Sequence, residues 1–333
     1  MRIEALDPAD DNLMARRFEV QVVVQSLARA HYQPPTFEDH LAELRTTHDG
    51  WEQVLWSIVE RGEMAGLVTL TLRQDTPDTL LAQVEVLPRF RRRGYGARAL
   101  IAAMEYAASR GRRRVVGEAH YPPSEAADHE YRVFLEHNGF RLASTSFVRA
   151  LTVPVPRVLL EGIAAQTMSS YFDGYRVLSY EEIPDPLVPS LVALMNRFSV
   201  ETPSREMDWV PETLDPRRYV QVRTADAAVG RDRLTTIAVD RATEQVVACT
   251  ELLLRPGLTR AAQLATYVHP AHRGHQLGLA ICAANLRVLQ EQHPSRRDVH
   301  TEVNVETPWM VALLEAFGYR PIEMVGFYHR DLV

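Results

Sequence analysis

The sequence predicts an α/β chain made of two copies of one domain, and three observations carry that prediction. The segments Val86-Leu87-Pro88-Arg89-Phe90-Arg91-Arg92-Arg93-Gly94-Tyr95-Gly96-Ala97 and Val268-His269-Pro270-Ala271-His272-Arg273-Gly274-His275-Gln276-Leu277-Gly278-Leu279 run alike. Each passes from an apolar strand through Pro and a basic, glycine-containing turn into an apolar-periodic helix. The elements around the two segments follow in the same order. The tails correspond as well: Gly139-Phe140-Arg141 with Val148-Arg149-Ala150-Leu151 parallels Gly318-Tyr319-Arg320 with His329-Arg330-Asp331-Leu332. At 333 residues, each copy is long enough to bury its own core. The expected division is a first domain at 1–153, a linker at 154–174 and a second domain at 175–333.

Each element has a local reason. Helical periodicity runs over 11–30 and 36–44. Strand-like runs follow at 52–60, 64–73 and 80–87, punctuated by Gly62, Gly66 and the Asp75–Asp78 turn. Past the first glycine turn, Leu100, Ile101, Met104 and Ala108 share one face of a helix at 97–109, which Gly111 closes. A strand at 114–120, a helix from 126 to a C-cap at Asn138-Gly139, and closing strands over 140–153 complete the first domain. The linker holds two prolines, a short amphipathic helix and the turn Asp173-Gly174. From Tyr175 the pattern restarts with a strand, a Pro-rich turn and a helix at 187–198. Strands at 234–240, 245–254 and 262–269 lead to the second turn. A helix at 279–292, a strand at 299–303, a helix ending at Phe317-Gly318 and a closing strand finish it.

The apolar share of 46% and charged share of 24% describe a globular chain, and no run approaches the roughly 20 apolar residues of a membrane span. The opening Met1-Arg2-Ile3-Glu4 lacks an apolar signal core, so a cytoplasmic location and no membrane partner are expected. Cys249 and Cys282 show neither CxxC nor zinc-ligand spacing; they read as buried free thiols, and no metal site is expected. All 37 Lys+Arg side chains are arginine. The absence of lysine excludes a Walker A loop, the phosphate-binding Lys of a kinase and an internal Schiff base with pyridoxal phosphate. HExxH and GxSxG are also missing. A net charge of −6 argues against a nucleic-acid partner. The basic islands Arg89–Arg93 and Arg110–Arg114 read either as solvated helix ends or as local attraction for a phosphorylated cofactor.

A strand that feeds a glycine turn into a helix leaves unpaired N–H groups at the positive end of the helix dipole, which together make an anion site. Glycine lets the backbone approach phosphate without a Cβ in the way. With Arg91-Arg92-Arg93-Gly94-Tyr95-Gly96 in that setting, and with helices ending in Gly139-Phe140 and Gly318-Tyr319, the chain resembles the GNAT acetyltransferases in tandem, of actinobacterial type. The family's loop is Arg/Gln-x-x-Gly-x-Gly/Ala. The resemblance implies two GNAT-like domains, each a mixed, mostly antiparallel central sheet flanked by helices. It implies a cofactor, acetyl-CoA or another acyl-CoA, whose pantetheine lies in the wedge where the strand before the loop splays from its neighbour. In the first half this loop is Val86, Leu87, Arg91, Arg92, Arg93, Gly94, Tyr95, Gly96 and Ala97. In the second it is Val268, Arg273, Gly274, His275, Gln276, Leu277 and Gly278.

The second loop departs from the pattern, because Gln276 stands at the first expected glycine. Both halves also depart at the tyrosine that often protonates the leaving thiolate, where spacing places Leu135 and Leu314. Attack on a thioester needs a neutral amine, so a carboxylate or His must take a proton. Glu85 on the strand entering the loop, Glu118 on the strand bordering the wedge (with His120 beside it) and Glu251 within the apolar run 246–254 are the catalytic candidates. An outward-facing strand carboxylate is the competing reading of Glu85 and Glu118. A carboxylate inside an apolar strand, such as Glu251, wants solvent or a function. Thr266, Tyr267, His269 and Asn304 are expected beside the second wedge, and 196–216 is expected to form an acceptor loop. The reading is an N-acetyltransferase acting on a small-molecule amine, with a place in antibiotic biosynthesis or other secondary metabolism. The alternative is an acyl-CoA-binding sensor or pseudo-enzyme; peptide acetylation is a third reading.

Overall fold

The computed structural model describes residues 1–27, 29–45, 50–201 and 213–332. The elements in the first half are β1 (Arg2–Ala5), α1 (Asp11–Gln25), α2 (Phe37–Arg45), β2 (Trp51–Glu60), β3 (Glu63–Arg73), β4 (Thr79–Val86), α3 (Tyr95–Ser109), β5 (Arg114–Tyr121), α4 (Glu130–His137) and β6 (Arg141–Thr152). Those in the second are α5 (Arg157–Tyr171), β7 (Tyr175–Tyr180), α6 (Val188–Glu201), α7 (Pro216–Ala228), β8 (Asp232–Asp240), β9 (Val246–Leu254), β10 (Arg260–Val268), α8 (Leu277–Gln292), β11 (Asp298–Asn304), α9 (Pro308–Phe317) and β12 (Arg320–Asp331). Side chains outside the strands and helices fix several boundaries. Asp10 accepts from the N–H groups of Asn12 and Leu13 to start α1, and Asp215 does the same for Arg217 and Arg218 at α7. Pro216 and Pro308 occupy the first turns of α7 and α9, where a missing N–H is harmless.

The compact units are not the two sequence halves. One unit joins Met1–Phe147 to β12 from Ile322 onward, and the described residues from Val148 to Pro321 form the other. In the first unit the sheet runs β1-β2-β3-β4-β5-β12. β5 pairs antiparallel with β12, from Met324↔Tyr121 to Asp331↔Arg114, where chain order would have placed β6. β6, which passes into the second unit at Val148, lies beside β11 instead, and the sheet continues β11-β10-β9-β8-β7. The expectation that 140–153 closes the first domain is therefore corrected.

The physical reason lies in the stretch expected to be a linker. Residues 154–174 carry the core: Val155, Leu160 and Ile163 are buried with Leu286 and Leu289 of α8 in the second unit's main cluster, and Leu151 and Val153 join them. The Val155 N–H donates to the Gln290 side chain (2.6 Å), and the Val153 N–H donates to Arg297 O (2.9 Å). A strand leading into a helix so deeply buried must enter the unit that buries it. The first unit's core gathers Leu67, Leu70, Leu80, Leu100, Val115 and Tyr328 around its sheet. Cys249 and Cys282 are both buried, and burial pushes their thiols up to about 12 and about 11, so neither is a thiolate at neutral pH. Among the described residues, no helix is long and apolar enough to cross a membrane.

Candidate active site

β4 and β5 pair in parallel only from Thr79↔Arg114 to Leu81↔Val116, and then part. Their separated ends border a cleft of about 450 Å³ in the first unit. At its mouth the glycine turn takes left-handed backbone at Arg92 (φ 59°) and Gly94 (φ 77°), and α3 begins without any side-chain cap. The first-turn N–H groups of Tyr95, Gly96 and Ala97 thus have no acceptor within the helix. A Cβ placed on Gly94 meets nothing within 4 Å, whereas one on Gly96 lies 3.0 Å from the Phe134 ring. Gly94 keeps open space over the loop, and Gly96 lets α3 pack on α4. Helix donors facing open space beside a deep, mostly apolar-walled cleft fit the pyrophosphate and pantetheine of a CoA thioester.

The three arginines of the loop divide their work. Arg91 Nε donates to Val86 O (3.0 Å), its Nη1 pairs with Glu130 (2.5 Å) and its Nη2 donates to the Tyr131 hydroxyl (3.0 Å). It fastens the end of β4 to α4 and so holds the loop. Arg92 and Arg93 stay exposed: Arg92 stands 3.6 Å from Glu130 and Arg93 lies over the Phe90 ring, so both guanidiniums face solvent at the loop. Val86, Tyr95, Gly96 and Ala97 line the cleft, while Leu87 is buried in the core.

Inside the cleft, polar groups form a connected chain. Glu85 is buried, and accepts from Gln25 Nε2 (2.5 Å). Gln25 Oε1 accepts from Arg29 Nη1 (2.7 Å), and Arg29 Nε donates to Glu323 (3.0 Å). Glu323 in turn bonds His120 Nδ1, and His120 Nε2 stands 3.7 Å from Glu118 Oε2. Burial raises the Glu85 carboxyl above its usual range against the pull of Gln25, Arg17 and Arg29. Burial also acts to raise Glu323, but His120 and Arg29 outweigh it and hold Glu323 below the usual range. Glu85, Glu118 and His120, which the sequence singled out, are thus brought together. Gln25, Arg29 and Glu323 were not foreseen, since the helical periodicity of 11–30 does not say which strand its C-terminal end meets, and Glu323 belongs to a strand whose neighbour could not be read.

The second unit repeats the frame and fills it. β10 and β11 pair in parallel from Arg260↔Asp298 to Ala262↔His300. Beyond that point Thr301 Oγ1 donates to Gln263 O (3.2 Å), and the Tyr319 hydroxyl donates to Gln263 Oε1 (2.7 Å). Leu313, Leu314 and Cys282 close around this space and leave no room for a water molecule. The loop itself keeps its shape: Gly274 (φ 87°) and Gln276 (φ 55°) take the left-handed positions of Arg92 and Gly94, and Arg273 Nε reaches Val268 O (3.2 Å) as Arg91 reaches Val86. Arg273 also pairs with Glu201 (2.9 Å), His275 packs near Tyr175, and Leu277 is buried. A Cβ on Gly278 lies 2.8 Å from Leu313. Aligned on the two turns, Tyr267 stands where Glu85 does; counted from the parallel pairing, Asn304 stands at the position of His120.

Glu251 lies outside both wedges' linings. It is buried, accepting from Arg233 (2.5 Å), Arg223 (3.1 Å) and the Thr235 hydroxyl (3.0 Å), so both carboxylate oxygens are engaged. The need that an apolar strand creates for a partner is met here by two arginines and a threonine, an arrangement that accounts for the carboxylate without a catalytic role. In the expected acceptor loop, 202–212 lie outside the described residues, and 216 onward is the start of α7.

Residues 22–134 match the acetyltransferase (GNAT) family. Over 99% of the chain, the structure is similar to a tandem GNAT protein from the clavulanic acid biosynthesis pathway, with a TM-score of 0.82, 23% identity and 98% of that chain covered. The chain has a tandem GNAT fold. A GCN5-related N-acetyltransferase from Sphaerobacter thermophilus is also similar (TM-score 0.67, 15% identity, 99% of this chain and 95% of that one). A glucosamine N-acetyltransferase region in a fungal multi-domain GH3 β-N-acetylglucosaminidase is also similar (TM-score 0.68, 14% identity), over 99% of this chain and 38% of that one. No curated protein sequence matches the chain.

Proposed function

We propose that the protein is an acetyl-CoA-dependent N-acyltransferase acting on the amine of a small molecule, with its chemistry in the first unit. The observation that carries this reading is the open cleft between β4 and β5, ending at an uncapped helix N-terminus. The family matched over 22–134 uses acetyl-CoA, which supplies an activated thioester. The N–H groups of Tyr95, Gly96 and Ala97, with Arg92 and Arg93, would hold its phosphates, and Val86 and Phe134 would flank the pantetheine. Glu85 serves as acceptor for the proton lost as the amide forms, and Glu118 faces the acceptor amine at the inner end. Burial raises the Glu85 carboxyl above its usual range, which makes its carboxylate a stronger proton acceptor. The similar tandem protein belongs to clavulanic acid biosynthesis, which supports a small metabolite as acceptor and a role in secondary metabolism.

A second reading, an acyl-CoA-binding sensor, is favoured by one observation: Leu135 and Leu314 occupy the place of the family's proton-donating tyrosine, and both are buried hydrocarbon. Native mass spectrometry with acetyl-CoA, followed by thiol release across a panel of primary amines, separates the two. One bound molecule with turnover supports the enzyme, one bound molecule without turnover supports the sensor, and no binding overturns both.

A further inference from the structure

Three groups on one face of the first unit's sheet are arranged for more than stability. His120 and Glu118 alternate along β5, and Glu323 reaches the same face from β12, one step along from Val325, which pairs with His120. Glu323 is buried and doubly held, by Arg29 and by His120 Nδ1. A carboxylate can only accept, so its bond to Nδ1 fixes the neutral ring as the Nδ1–H tautomer and leaves the lone pair on Nε2. That nitrogen faces Glu118 Oε2 at 3.7 Å, too far for a direct hydrogen bond. Both atoms therefore keep a direction unfilled, and both residues line the cleft.

We infer that Glu118 and His120 form the seat of the acceptor's ammonium group, that His120 Nε2 takes its proton, and that Glu323 is the positioning residue that aims the ring. The inference rests on the first cleft being an acyl-transfer site. In the step assigned to this pair, one N–H bond of the ammonium breaks, its electrons stay on nitrogen as the attacking lone pair, and the proton forms an N–H bond at Nε2. Glu118 supplies the negative charge that draws a cationic amine in, and the substrate class is accordingly a primary amine protonated in solution. The charged groups facing His120 are Glu118 on β5, Glu323 on β12 and Arg29 after α1, with Glu85 on β4 reached through Gln25. Burial acts to lower His120, but the carboxylates of Glu118 and Glu323 outweigh it and hold the ring above the usual histidine value.

The test uses the full chain labelled at histidine, with the His120 ring resonances assigned by their loss in His120→Gln. The wild-type ring is expected to be the Nδ1–H tautomer, and n-butylammonium chloride is expected to perturb it at Nε2. Glu118→Gln should abolish that perturbation. Glu323→Gln should move the His120 titration to lower pH while keeping the tautomer, because the amide oxygen still accepts from Nδ1–H. Glu323→Ala should lose the fixed tautomer as well. A wild-type ring that ignores butylammonium, or an Nε2–H tautomer, overturns the inference without any variant having to fold. Acetyl-CoA bound in the same sample with His120 unperturbed by the amine defeats the ammonium seat alone. Absence of acetyl-CoA binding defeats the acyl-transfer reading, and the ring spectra still report on the seat.

Discussion

The two units start their parallel pairings alike and finish them differently. In the first, β4 and β5 part after Leu81 and Val116 and leave a cleft; in the second, β10 and β11 part after Ala262 and His300 and the gap is crossed by Gln263, Thr301 and Tyr319. The glycine turns themselves are nearly the same shape. What distinguishes a cofactor-sized site from a packed core is therefore not the loop but the few side chains behind it: Phe134 and Leu135 beside an opening in one unit, Leu313 and Leu314 filling the corresponding space in the other. A loop motif reports a backbone conformation. Whether a ligand can follow it inward is decided by residues that the motif does not contain.

The comparison is broken most directly at the proposed base. Glu85→Gln is expected to lower acetyl transfer by about 10²- to 10⁴-fold, measured as the initial rate of thiol release with an accepted amine; the second unit, with Tyr267 at that place, should not rescue it. The same variant should raise thermal stability at neutral pH. A carboxyl whose folded pKa is raised favours folding while protonated and disfavours it once pH passes its unfolded value. The stability difference between variant and wild type should hence shrink as pH falls below the ordinary glutamate range. Thermal melts at pH 4 and pH 7 check the sign.

Glu251→Gln should behave in the opposite way. Removing the buried charge that two half-buried arginines share is expected to cost about 3–5 kcal/mol of stability, measured by urea unfolding, with acetyl-CoA affinity unchanged. An affinity loss matching that of a cleft variant would return Glu251 to the site. Third, Leu314→Ala leaves a hole in a closed core and should cost about 3–5 kcal/mol, while Leu135→Ala, beside an existing opening, should fall nearer about 2 kcal/mol. Equal costs would mean that the first wedge is as tightly closed in solution as the second. Smallest in stability is Gly94→Val: left-handed backbone makes a β-branched residue cost about 1–2 kcal/mol. The larger consequence there is for binding, with acetyl-CoA affinity expected to fall at least about tenfold, equivalent to about 1.4 kcal/mol, because the new side chain enters the open space over the loop.

Much of this was legible in the sequence, for reasons that differ by residue. The turns at 91–96 and 273–278 could be read because left-handed backbone and an uncapped helix start depend on local chemistry. Even the departure at Gln276 was visible, although not its outcome: the glycine has moved to Gly274, and Gln276 takes the left-handed conformation itself. Glu85 and Glu118 were found because a carboxylate in a strand beside the turn has few places to go. Glu251 carried the same signal, and its partners Arg223 and Arg233 come from α7 and β8, so that nothing near it in the sequence distinguished an ion pair from a catalyst. The exchange of β6 and β12 was hidden for a related reason. Both strands close a copy in the repeat pattern, and only the buried face of α5 decides which sheet each of them joins.

That exchange also sets a timetable. A ribosome that has finished Phe147 has made all but one strand of the first unit, yet the missing strand, β12, starts only at Arg320. At about 5–20 residues per second, the intervening stretch takes on the order of ten to thirty seconds to synthesise. Throughout that interval the exposed edge of β5 has no partner, and His120 has no Glu323. The half of the protein with the open cleft is begun first and completed last.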